Sequence, residues 1–136
     1  MNADELIERF SLFDDWEERY AYLIDLGRKL PGLDDVHKTE LNRVPGCVSQ
    51  VWLVHEFDGS TLTFEADSDA FIVRGLVAIL VHLYSGLTPE QVEALDIESV
   101  FGQLGLSEHL TPNRRSGFFS MVGRIQGAGA AAGRRV

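Results

Sequence analysis

Near the N-terminus, apolar residues recur three and four positions apart. Leu6, Ile7, Phe10 and Phe13 fall on one face, which predicts a helix over about residues 3–12. Asp15 offers a cap, with Glu18 in the reciprocal position three residues on, so a second helix begins there. Trp16, Tyr20, Leu23 and Ile24 form its apolar stripe, and Pro31-Gly32 ends it. Residues 31–46 lose the period, with room for a short extended piece at 39–43 ahead of Pro45-Gly46. Residues 49–57, rich in Val, Trp, Leu and Phe, predict a strand, and Asp58-Gly59 predicts a hairpin. Residues 61–66 predict the returning strand, with Leu62, Phe64 and Ala66 on one face and Thr61, Thr63 and Glu65 on the other.

The chain then turns helical. Asp67, Ser68 and Asp69 offer caps for a helix at 71–84 that is apolar on most sides and so largely buried. Gly86 is placed to close it. Thr88-Pro89-Glu90-Gln91 combines a cap, a proline at the first helical position and a capping-box glutamine. Residues 97–104 predict another short helix, and Thr111-Pro112 starts a last one carrying Phe118, Phe119, Val122 and Ile125. The small-residue end, GAGAAAGRRV, is expected to fray. The order predicts an α+β fold, a small antiparallel β-sheet packed against helices. A single domain is expected over residues 1–126, followed by a flexible Gly/Ala/Arg tail at 127–136.

Composition narrows the function. A chain of 136 residues with 45% hydrophobic and 24% charged positions builds one ordinary core without cross-links. Twelve basic against 21 acidic residues give a net charge of −9, which repels nucleic-acid backbones and anionic membranes. The most apolar stretch, 71–84, is interrupted by Arg74 and falls short of the ~20 residues that span a bilayer. The first ten residues are acidic and amphipathic, unlike a secretory signal, so the expected location is the cytoplasm.

The one cysteine, Cys47, cannot form an internal disulfide, a Cys-rich zinc site or an iron–sulfur centre by itself. His37, His55, His82 and His109 lack metal-ligand spacing, so no metal site is expected. Gly127-x-Gly129 has no strand before it and no helix after it, and carries no dinucleotide fingerprint. A free cysteine is ordinarily a small buried hydrophobe. Cys47, however, follows Pro45-Gly46 at a turn, where Gly46 permits unusual dihedrals and where function concentrates. Arg43, close in sequence, or Arg114, through folding, could lower the thiol pKa, as could a helix N-terminus. Val44, Val48, Val51 and Trp52 flank it with apolar surface, and Trp52 is expected in the core.

The stretch Gly46-Cys47-Val48-Ser49-Gln50-Val51-Trp52 resembles the signature of the SufE-type sulfur acceptors, partners of cysteine desulfurases in iron–sulfur cluster assembly. Three further blocks match in order: Asp15-Trp16-Glu17-Glu18-Arg19-Tyr20 with Leu26-Gly27…Leu30-Pro31, then Asp67-Ser68-Asp69-Ala70…Ile72-Val73-Arg74-Gly75-Leu76, then His109-Leu110-Thr111-Pro112-Asn113-Arg114. The likeness covers about residues 5–125. Val48 departs from the family, which often carries Gln there. CsdE-type acceptors share the motif.

The resemblance implies a SufE/IscU-like fold and a sulfur relay. Cys47 accepts sulfur as a persulfide from a desulfurase of SufS or CsdA type, stimulates that enzyme, and passes the atom to a scaffold or other acceptor. Asp69 and Arg114 match positions tied to partner binding or loop control, and Gly46, Ser49 and Gln50 belong to the cysteine motif. From residues alone, Asp69 reads equally as a helix cap, and Arg114 as an exposed charge. The pyridoxal phosphate belongs to the partner, so no cofactor is expected here. The chain is expected to be an accessory carrier, a monomer or weak homodimer, rather than a stand-alone enzyme. Two other readings stand beside it: a cluster scaffold, and an interaction domain with an inert cysteine.

Overall fold

The computed structural model describes residues 2–47 and 49–134. Helix α1 spans Ala3–Ser11, and α2 spans Trp16–Lys29 with the Asp15 carboxylate accepting from the Glu18 amide at 2.8 Å. A 3₁₀ turn at Asp35–His37 interrupts the irregular stretch. Strands β1, Val51–Phe57, and β2, Leu62–Ser68, pair antiparallel, with Val51 opposite Ser68 and Phe57 opposite Leu62. Helix α3 spans Phe71–Tyr84, followed by α4 at Pro89–Ala94, α5 at Ile97–Gln103, α6 at Leu106–His109 and α7 at Pro112–Gly133. The expected α+β architecture is therefore present: a two-stranded antiparallel sheet packed against helices.

Helix α3 is the axis of the core. Its Leu76, Val77, Ile79 and Leu80 are almost wholly buried, between α2 on one side and β2 on another. The α2–α3 crossing is close because two glycines meet there. A Cβ on Gly75 would collide with the Leu23 carbonyl, and one on Gly27 would stand 2.8 Å from the Gly75 nitrogen. Alternate β2 residues Leu62, Phe64 and Ala66 point into this core, as their spacing predicts.

Four expectations are corrected. The tail at 127–136 is not frayed through its length: α7 continues to Gly133, and Ala128, Gly129 and Ala132 are buried. Small side chains are the reason. Gly129 lies so close to Val92 that a Cβ would reach within 2.8 Å of it, so the Gly/Ala run lets α7 pack on α4. Arg135 and Val136 lie outside the described residues. Residues 39–43 form a turn rather than an extended piece, and only Arg43 bridges to Trp52. Asp67 and Ser68 belong to β2 rather than capping α3, whose N-cap is Ala70 without a side-chain bond. Trp52 is half-buried on the outer face of β1, with the Lys38 ammonium 5.4 Å from its ring centre.

Asp67 is the buried charge that ties these parts together. Its carboxylate accepts from the Leu33 amide at 3.1 Å and the Ser68 amide at 2.8 Å. It also pairs with Arg74 at 2.8 Å and Lys38 at 3.3 Å. Arg74 donates onward to the carbonyls of Gly27 and Leu30, at the end of α2. Burial pushes the Asp67 pKa up, but these four partners outweigh it and hold the group below its ordinary value.

Candidate functional site

Cys47 stands at the tip of a short loop whose base is closed by backbone pairing. The Val44 amide donates to the Val51 carbonyl at 2.8 Å, and the Leu53 amide to the Asn42 carbonyl at 2.9 Å. From α7, the Arg124 guanidinium donates to the Leu41 carbonyl at 2.6 Å. Gly46 makes the turn at φ +89°, where a side chain would be strained and would also meet Ser120. The loop lies against the first turns of α7. There the thiol makes one weak polar contact, donating to the Gly117 carbonyl at 3.6 Å.

The return of the loop is latched by Asp69 and Ser68. The Gln50 amide donates to Asp69 Oδ1 at 3.1 Å, and the Gln50 carbonyl accepts from the Ser68 hydroxyl at 2.8 Å and the Asp69 amide at 3.3 Å. The cap reading of Asp69 is thus overturned: its side chain holds the cysteine loop.

Beneath the loop lies a cavity of about 360 Å³. Cys47, Ser49, Thr111, Asn113 and Arg114 line it together with Ala70, Phe71, Ile72, Val73 and Leu76 of the α3 start, and Gly117, Phe118 and Met121 of α7. Of the residues singled out in the sequence, Cys47, Ser49 and Arg114 therefore share one cavity. Asp69 and Gln50 form the latch, and Gly46 forms the turn. Val48 lies outside the described residues. The residues missed were the opposing walls, above all Gly117. Nothing local marks it, since Gly117 is one of five glycines in α7. A Cβ on Gly117 would stand 3.5 Å from the sulfur, in ordinary contact.

The electrostatics differ from the expected lowering. Burial pushes the Cys47 thiol above its ordinary value of 9.0, and the Arg43 charge opposes this only in part. The seated sulfur is therefore protected rather than activated, because apolar walls disfavour the anion. Loop movement would remove that penalty. Among the described residues, the thiol's polar contact at the tip is long and the backbone pairs at the base are short.

Among the described residues, no three His, Cys, Asp or Glu side chains gather where they could share a metal ion, and no helix is long and apolar enough to cross a membrane. The fold is thus an α+β domain that presents one half-buried thiol on a latched loop. Similarity to known proteins identifies it further. The model of the SufE family, described as an Fe-S metabolism associated domain, matches residues 4–128. The chain is 46% identical to a SufE-like protein of Rhizobium meliloti strain 1021 over 129 residues, 92% of each chain. It is 47% identical to a SufE-like protein of Rhizobium etli, over 92% of this chain and 87% of that one. The solution structure of a hypothetical protein from Thermus thermophilus superposes with a TM-score of 0.78 at 23% identity, covering 96% of this chain and 94% of that one, a likeness of fold. The chain belongs to the SufE family. Membership places it in iron–sulfur metabolism and implies interaction with a cysteine desulfurase.

Proposed function

We propose that this protein is a cytoplasmic sulfur carrier: Cys47 takes sulfur from a cysteine desulfurase, holds it as a persulfide and delivers it to an iron–sulfur scaffold or another acceptor. The observation that carries the reading is the seat of Cys47, a lone thiol on a latched loop over a cavity that reaches the surface. In the transfer step, the Cys47 thiolate attacks the outer sulfur of the partner's persulfide. A bond forms between Sγ and that sulfur, the partner's sulfur–sulfur bond breaks, and the electron pair leaves on the partner's thiolate. The thiol proton goes to solvent or a partner base, with no net oxidation. Delivery repeats the step with a new nucleophile.

The residues divide the work. Gly46 gives the loop its turn, and Asp69 and Ser68 hold Gln50 and so the resting position. Gly117, Phe118 and Met121 form the α7 side of the cavity in which the sulfur sits. The reaction needs no cofactor from this chain, since the pyridoxal phosphate that releases sulfur from cysteine belongs to the desulfurase. A scaffold role is less well supported, because a cluster needs several ligands and Cys47 is the chain's only thiol.

The test is incubation with a purified cysteine desulfurase and cysteine, read by intact mass. Wild type gains one sulfur atom and Cys47→Ser gains none. Equal labelling of both overturns the reading.

A further inference from the structure

Phe71 is the first residue of α3, and it is 74% exposed. An aromatic side chain offers ~150–250 Å² of largely apolar surface, and the fold leaves most of this one in water. It stands between two depressions. On one side it lines the Cys47 cavity; on the other it lines a groove of about 250 Å³ with Ile24, Gly27, Arg28 and Arg74.

We infer that the desulfurase docks across this ridge, from the mouth of the Cys47 cavity over Phe71 to the α2 groove, with Phe71 as its apolar anchor and Arg28 and Arg114 facing acidic groups of the partner. The inference rests on the carrier reading above and names the surface that reading requires. Transfer brings a foreign sulfur within bonding distance of Cys47 Sγ, so the enzyme's surface must cover the cavity mouth. Phe71 lines that cavity, so any enzyme seated for transfer comes against Phe71.

Charge gives the second, independent argument. The protein carries a net −9, yet two arginines flank this ridge. Arg28 is exposed and Arg114 half-buried, and among the described residues neither forms an ion pair. Arg74, by contrast, is neutralised by Asp67. An apolar centre bordered by available guanidinium groups is the arrangement of a docking surface for a partner with an acidic rim. Three other exposed apolar residues, Leu12 at 72%, Val36 at 75% and Leu41 at 82%, line neither depression.

The experiment follows sulfur loading of Cys47 by a purified desulfurase as a function of carrier concentration. Phe71→Ala should raise the concentration for half-maximal loading about tenfold or more. Arg28→Glu should shift it the same way and flatten its dependence on salt. Leu12→Ala should match wild type. Half-saturation unchanged in Phe71→Ala overturns the anchor, and unchanged in Arg28→Glu overturns the extension onto α2; Cys47 remains the carrier in both cases. Wild type that takes no sulfur at any concentration overturns the carrier reading and this surface with it.

Discussion

Replacing Asp69 by Ala removes one side-chain acceptor from the cysteine loop and leaves the fold around it intact. The lost contact is the 3.1 Å bond from the Gln50 amide. The Gln50 carbonyl keeps its bonds from the Ser68 hydroxyl and the residue-69 amide, so the latch is weakened rather than abolished. A solvent-accessible hydrogen bond of this kind contributes about 0.5–1.5 kcal/mol. If the bond is made only in the seated loop, its loss multiplies the population of the unseated loop by about two to ten. Among the described residues of the tip, the thiol adds only its 3.6 Å approach to the Gly117 carbonyl. Alkylation of Cys47 by iodoacetamide at fixed pH reads that population. Asp69→Ala should react about two to ten times faster than wild type, with a small loss in thermal stability. Asp69→Asn, which keeps a carbonyl acceptor in place, should stay near wild type. Equal rates for wild type and Asp69→Ala would refute the latch. Fast reaction in Asp69→Asn would show that the carboxylate acts by charge and not as an acceptor.

Two other outcomes are expected. The alkylation rate of Cys47 should rise with pH along a curve whose midpoint lies above that of a free cysteine in the unfolded chain, because burial outweighs Arg43. Arg43→Ala should move that midpoint higher still, and a native midpoint below that of the unfolded chain contradicts the seated geometry. Asp67→Asn should cost about 1–3 kcal/mol of stability near neutral pH in urea unfolding, since it takes the charge from beside Arg74 and Lys38. Asp67 is held below its ordinary pKa, so its stabilisation is complete above the unfolded value of ~3.9 and fades as pH falls through the folded value. The gap between wild type and Asp67→Asn should therefore narrow below about pH 4, and a gap independent of pH contradicts the charge argument.

Local signals in the chain read out correctly where one residue settles the geometry. The Asp15 and Thr88 caps, the glycine after α3 and the hairpin at Asp58-Gly59 all lie where nearest-neighbour chemistry puts them. The Cys47 motif named the candidate reactive residue for the same reason, since it is contiguous. Features that failed to show were those made by distant pairs. The Gly/Ala run at the C-terminus reads as loose by composition, and becomes a packed helix only because α4 offers Val92 to it. Asp69 looks like a cap for the helix that follows, but its bond goes back 19 residues to Gln50. Arg43 sits close enough to lower the thiol pKa as expected, yet the walls from α3 and α7 reverse the net direction. Burial of that kind is written across residues 70–76 and 117–121 and is invisible from the motif itself.

The central claim is tested most directly by locating the sulfur. The protein is loaded by a desulfurase with radiolabelled cysteine, separated from the enzyme and digested with trypsin under non-reducing conditions. Cleavage after Arg43 and Arg74 leaves Cys47 in one peptide, residues 44–74. Label confined to that peptide, and lost from it when an iron–sulfur scaffold or other acceptor is added before digestion, is the predicted result. Label elsewhere in the chain, or label on residues 44–74 that no acceptor removes, would contradict a carrier built on Cys47.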